Sequence, residues 1–113
     1  MSRLKHFTTL KSSKEFDRVY KKATKVWHTP LFVLFYKKSD DLQKIGIVAS
    51  KKIGNATKRN RAKRLLRAVF IKNIDTLKFG EFVLVAKAPL LERDFTQLEE
   101  SYLYALERSY IRT

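Results

Sequence analysis

A chain of 113 residues, 44% apolar and carrying eight Phe, five Tyr and one Trp, has the length of one domain and enough large side chains to build a core. Its 25 Lys and Arg against 11 Asp and Glu leave a net charge of +14, a load that repels itself in the folded state and points to a polyanionic partner. The lack of cysteine excludes disulfide frameworks, thiolate zinc sites and a Cys nucleophile. No segment approaches the ~20 apolar residues of a membrane span, and the opening MSRLKHFTTLKSSKEF has no secretory apolar run, so a cytoplasmic protein is expected.

The charge is uneven. Residues 1–78 hold 21 basic and 5 acidic side chains, whereas residues 79–113 hold 4 and 6, so the partner is expected to meet the first two thirds. Nucleic acid is the usual polyanion for such a surface. A basic amphipathic membrane helix would need bulky apolar residues free for insertion, and here they are needed for the core.

In chain order, SSKEFDRVYKKA opens with Ser12 and Glu15 in capping-box spacing, and Phe16, Val19, Tyr20 and Ala23 then recur at helical intervals. PLFVLFYKK reads as a strand after Pro30, SDD at 39–41 as a turn, and KIGIVAS as a second strand, expected to form a hairpin with the first. GNATKRNRAKRLLRAVFIKN predicts a helix capped by Asn55 or Thr57, with Ala62, Leu65, Leu66, Val69 and Phe70 as its buried stripe. GEFVLVAKAP predicts a strand covered on both faces. Thr96 with Glu99 suggests a capping box before a last helix that turns Leu98, Tyr102, Leu103, Ala105 and Leu106 inward. The order αββαβα implies an α+β fold, a small mixed sheet with helices packed on it in a two-layer sandwich, all within one domain over residues 1–113.

The stretch SKKIGNATKRNRAKRLLR, residues 50–67, carries eight basic side chains and no acid. On a helical period Asn60, Lys63, Arg64 and Arg67 share a face, with Arg59 at its edge, opposite the apolar stripe. Like charges at such spacing destabilise a helix by a few tenths of a kcal/mol per pair, so phosphates are the expected counter-charge. Lys51 and Lys52 lead into the helix N-terminus, itself suited to anions. Asn60 can both donate and accept at a base edge or sugar. A solvated basic face is the plain alternative, and the complete lack of interspersed acid weighs against it.

This stretch closely resembles the signature of the bacterial ribonuclease P protein subunit, with an Arg-Asn-Arg core at Arg59, Asn60 and Arg61. LKSSKEFDRVYKKATKV, FVLFYKK, KIGIVASKKIGN and FVLVAKAP resemble further segments of that family, so the likeness runs from about Leu10 to Arg108. The resemblance implies a subunit of the endoribonuclease that removes 5′ leaders from precursor tRNA, in which a large RNA performs the Mg²⁺-dependent cleavage. It implies no catalytic residue on the protein and leaves open whether the protein holds a metal ion of its own. It also implies a left-handed βαβ crossover, against the ~98% right-handed rule.

By the same resemblance the catalytic RNA is met by Lys51, Lys52, Asn55, Lys58, Arg59, Asn60, Arg61 and Arg64. The leader is met by Phe16, Tyr20 and Phe35, with Lys63 and Arg67 along the edge. Aromatic stacking with cationic backbone contacts suits a single strand read without sequence preference. From spacing alone Phe16 and Tyr20, aromatics at i and i+4 on a helix, read as core rather than as a binding surface. Strand alternation leaves either Leu31, Val33 and Phe35 or Phe32, Leu34 and Tyr36 as the outward set. The chain departs from the family pattern at Ala23, where Gly is common, at Ala68, where an acid is common, and at Lys87, where Arg is usual.

Other classes fit less well. A self-sufficient nuclease needs a converging acid–base or metal set, whereas His6 and His28 stand apart from any acidic cluster. A helix-turn-helix reader needs a helix just before the basic one, where a strand is expected. A ribosomal or other structural RNA-binding protein, with no part in tRNA processing, shares the basic helix and is the alternative set against the longer signature.

Overall fold

The computed structural model describes residues 7–40 and 43–112; His6 and Asp41 lie outside them. The elements are β1 (Thr8–Thr9), α1 (Ser13–Lys22), β2 (Lys25–His28), β3 (Phe32–Lys38), β4 (Gln43–Val48), α2 (Ala56–Lys72), β5 (Gly80–Ala86) and α3 (Phe95–Arg108), with short 3-10 turns at Lys51–Ile53, Ile74–Thr76 and Ala88–Glu92. The strands form one mixed sheet in the order β1-β4-β5-β3-β2. β1, β4 and β5 run parallel, and β5–β3 and β3–β2 pair antiparallel.

The hairpin expected between β3 and β4 does not form, because β5 lies between them and pairs with both. β5 is the most apolar strand and belongs in the centre, where it is buried at all but one position. The hairpin that does form is β2–β3, with Thr29 Oγ1 accepting from the Leu31 and Phe32 amides at 3.1 and 2.9 Å. β4, α2 and β5 make the βαβ crossover between neighbouring parallel strands.

Pairing register separates the two faces. Phe32, Leu34 and Tyr36 of β3, Ile45 of β4, and Phe82 and Leu84 of β5 bury against Ala62, Leu66, Val69 and Phe70 of α2 and Leu98, Tyr102, Ala105 and Leu106 of α3. The opposite face carries Val33, Phe35 and Lys37 beside Glu81, Val83 and Val85, and Val19 of α1 packs on it with Leu10. Gly46 sits under α1: a Cβ there would run into the Phe16 ring and come within 2.9 Å of Leu10 Cδ1, so the helix lies this close only over glycine.

Caps set the helix ends. The Ser12–Glu15 box forms as expected. α2 starts at Asn55, whose Oδ1 accepts from the Lys58 amide at 3.0 Å. α3 is capped by Asp94 with Gln97 rather than by Thr96 with Glu99. The Asp94 carboxylate accepts from the Gln97 amide at 2.8 Å while Gln97 Oε1 accepts from the Asp94 amide at 3.1 Å, which leaves Thr96 inside the first turn. Leu65 and Leu103, expected inward, are half-buried. α3 ends in a Schellman motif: the Ile111 amide donates to Leu106 O at 3.1 Å and the Tyr110 amide to Glu107 O at 3.2 Å. Tyr110 occupies the left-handed position with φ 59°, where a side chain costs roughly 1–2 kcal/mol and glycine is the usual choice.

Candidate RNA-binding surfaces

The segment into α2 is anchored at both ends of its loop. Ser50 Oγ accepts from the Lys52 amide at 3.3 Å, Ile53 is buried in the core, and Gly54 turns the chain at φ 137°. Lys51 and Lys52 are thereby displayed on a fixed turn directly before the helix. Asn55 spends its carbonyl oxygen on the cap, leaving its amide NH₂ for another acceptor.

Along α2, Lys58, Asn60, Arg61, Arg64 and Arg67 are exposed. Arg59 and Lys63 are half-buried: they stand three residues before and one after Ala62, on the flank of the apolar stripe rather than opposite it. Their stems lie along the core margin with the charges outward, as long cationic side chains do. Arg59 Nη1 also donates to Gly54 O at 3.4 Å, a long bond that steers the guanidinium toward the loop. Among the described residues no acid pairs with any of the eight cations between 51 and 67, although the acids elsewhere bind Arg18, Lys37, Lys44, Lys72 and Arg112. The positive field of the loop and helix is therefore left for an outside partner.

On the other face of the sheet, α1 and β3 bring Phe16, Tyr20 and Phe35 together. The Phe16 and Tyr20 centroids are 6.5 Å apart, and Tyr20 meets Phe35 edge-on at 4.9 Å. Phe16 and Phe35 are half-buried and Tyr20 is 37% exposed, so the trio is neither interior core nor free surface but a partly covered aromatic strip beside α1. Burial raises the Tyr20 phenol above its ordinary pKa, with Asp17 adding to the effect.

β2 supplies a part of this strip that sequence patterning misses. Val26 pairs with Phe35 across the hairpin and is 44% exposed, so it extends the apolar strip, with His28 next on the same face beside Val33. Two cations also belong to this face. Arg18 Nη2 and Lys37 Nζ converge on the buried Glu81 carboxylate at 2.8 and 3.5 Å. Hydrogen bonding and attraction to Glu81 raise the Arg18 pKa further. Lys37 stands two residues along β3 from Phe35, so the network places positive charge beside the rings. Lys63 and Arg67 are not joined to the trio: they stand on α2, which packs against the other face of the sheet.

Among the described residues no three His, Asp or Glu side chains gather as a metal site, and no helix is long and apolar enough to cross a membrane.

A family model described as Ribonuclease P matches residues 4–110. The chain is 49% identical over 105 residues to the ribonuclease P protein component of Nitratiruptor sp., covering 93% of this chain and 94% of that one. It is 32% identical to that of Bacillus pumilus over 111 residues, covering 96% and 92%. Among solved structures, the Staphylococcus aureus RNase P protein matches with a TM-score of 0.81 at 25% identity, over 93% of this chain and 97% of that one. The Thermotoga maritima protein matches with 0.78 at 30% identity, over 88% and 96%. A basic Arg-Asn-Arg helix, a mixed five-stranded sheet and these matches along nearly the whole length agree: the chain belongs to the ribonuclease P protein family, the protein component of a ribonucleoprotein endoribonuclease.

Proposed function

We propose that this subunit docks on the ribonuclease P RNA through Lys51, Lys52, Asn55, Lys58, Arg59, Asn60, Arg61 and Arg64. The strip beside α1 then takes the 5′ leader of precursor tRNA on Phe16, Tyr20 and Phe35, and Lys63 and Arg67 meet phosphates where the strand leaves it. The observation that carries this reading is the run of eight cations, unpaired with any acid among the described residues, on an anchored loop and helix. A surface of that kind recognises a phosphate backbone and fixes register on it. The ring trio, widened by Val26 and flanked by Arg18 and Lys37, suits a single strand of any sequence, since every base has a face to stack.

In this reading the Mg²⁺ that cleavage needs is assigned to the RNA, as the family resemblance implies, and no chemical step is routed through the protein. The protein contributes charge neutralisation, which lowers the Mg²⁺ needed to hold two polyanions together, and a grip on the leader. It acts on one domain's surface, in the cytoplasm. A structural RNA-binding role outside tRNA processing has no such use for a leader-binding strip.

The test is precursor-tRNA cleavage at low Mg²⁺ by the protein alone, by a bacterial ribonuclease P RNA alone, and by the two mixed. Efficient cleavage by the mixture only is the expected result. No gain over the RNA alone would favour the general RNA-binding alternative, and cleavage by the protein alone would show that a protein active site exists after all.

A further inference from the structure

β2 has two sides, and only one belongs to the strip beside α1. Lys25 and Trp27 pair with Tyr36 and Leu34, so they lie on the α2/α3 face, where they reach the last turns of α3. There Trp27 meets Tyr104 edge-on at 6.2 Å, and the Lys25 ammonium stands 5.7 Å from the centre of the Tyr110 ring. Tyr104 is 57% and Tyr110 74% exposed. Tyr110 also lines an open hollow of about 420 Å³ together with Lys78, Glu107 and Arg112. These rings add little to the core, yet Tyr110 occupies a left-handed backbone position that glycine fits better, so its ring is kept against a local cost.

We propose that this hollow is a second nucleotide-binding site, in which an unpaired base of an RNA strand stacks on Tyr110 and the flanking phosphates are met by Lys25, Lys78 and Arg112. Charge decides the class of occupant. Lys25 stands over the ring, Lys78 and Arg112 line the hollow beside it, and the one acid in that lining, Glu107, is already bound to Arg112 at 2.6 Å, where it fixes the guanidinium. Exposed rings interleaved with cations are the pattern of a single-strand platform. The Trp27–Tyr104 pair prolongs that surface along the edge strand. The choice of RNA as the polyanion rests on the docking and leader reading above; the site itself is separate from both surfaces.

The experiment is a titration of the full ¹⁵N-labelled chain with pentauridylate RNA, followed by amide NMR, which reads each surface separately. The expected result is saturable shifts at Lys25 and residues 109–112 that weaken with added salt. In Tyr110→Gly these shifts should require about fivefold or more RNA, the loss of one stacked base, while those on α1 and α2 persist. That variant should fold, because glycine suits the position. Lys78→Ala, which leaves the ring in place, should weaken the site less and chiefly at low salt. Shifts confined to α1 and α2 would overturn the site and leave the docking reading standing. Shifts at Tyr110 with none on α2 would support the site and count against the docking surface. Changes around Tyr104 and Tyr110 that grow with protein concentration in the absence of RNA would instead assign this face to a second copy of the chain.

Discussion

The two faces of the sheet are built to different standards. On one, α2 and α3 cover Phe32, Leu34, Phe82 and Leu84 completely, with Phe70 and Tyr102 driven into the same cluster. On the other, α1 is the only helix among the described residues: its Val19 is buried with Leu10 and Val83, while Phe16, Phe35, Val48 and Val85 are only partly covered. One ten-residue helix cannot close a face five strands wide, so a strip of aromatic and apolar side chains stays in contact with water. The same residue type is thus sealed core on one face and, on the other, the water-exposed apolar strip proposed to take the leader.

The largest test of this contrast is truncation on the closed face. Phe70 is fully buried and packs edge-on against Phe7 at 5.4 Å and Phe82 at 6.0 Å. Phe70→Ala should cost about 3–5 kcal/mol by urea unfolding, the range for a large core ring. A much smaller loss would mean that the closed face is loosely packed and that the contrast is overstated.

Gly46→Ala asks how closely α1 must sit. The added methyl meets the Phe16 ring and Leu10 Cδ1, so the ring has to shift, and α1 with it where the ring cannot turn aside, at about 1–3 kcal/mol for overpacking. Because Phe16 moves with α1, affinity for a single-stranded leader should fall together with stability. Unchanged leader binding in a destabilised variant would detach the strip from the helix.

Phe35→Ala should do the reverse. The ring is half-buried and touches Tyr20, so its loss should cost about 1 kcal/mol of stability or less. Affinity for precursor tRNA carrying a leader should fall by about fivefold or more, as for a lost stacking partner, with little change for mature tRNA. Equal losses for both RNAs, or an unfolded variant, would move Phe35 into the core.

How much of this contrast is legible in the sequence depends on how local the cause is. The capping box at Ser12, the basic helix and the buried course of β5 are written in consecutive residues, and they form as expected. The pairing of β3 with β5 rather than β4 is not, because both partners are apolar enough and only the global packing decides which strand takes the centre. β2 has four residues and an irregular exposure pattern, too short for a period-two signal. With β2 unseen, Val26 could not be placed beside Phe35, and the two-sided strand that links the aromatic surfaces stayed hidden. The Glu81 network was hidden for the same reason: Arg18 and Glu81 are 63 residues apart and meet only through the sheet.

The proposed docking surface of α2 offers charge rather than rings, so its variants should leave stability nearly unchanged. Arg61 is exposed and makes no ion pair among the described residues. Arg61→Ala should weaken binding to ribonuclease P RNA and flatten the dependence of log K on log salt by roughly one unit, the signature of one lost phosphate contact. An unchanged slope would take Arg61 out of the interface.

The smallest effect expected concerns how α1 is moored over the open face. Glu15 accepts from the Lys11 and Ser12 amides at 2.9 and 3.1 Å, and its second oxygen reaches Lys44 of β4 at 3.4 Å. The two backbone bonds, chiefly that from Lys11, hold its carboxyl pKa at about 2, against 4.5 for an unconstrained side chain. Between those values the unfolded chain binds more protons than the folded one, so stability rises with pH across that interval. The contribution is fully present above about 4.5 and is lost as pH falls through about 2. Glu15→Gln retains an oxygen for the amides but loses the charge and the contact with Lys44. The variant should therefore be slightly less stable than the parent at pH 6, and the two should converge on acidification toward pH 2. Urea midpoints for both chains across that range give the measurement. Parallel curves would show that the mooring of α1 owes nothing to the ionised form of Glu15, and that the open face is held by Val19 and the Arg18–Glu81 pair alone.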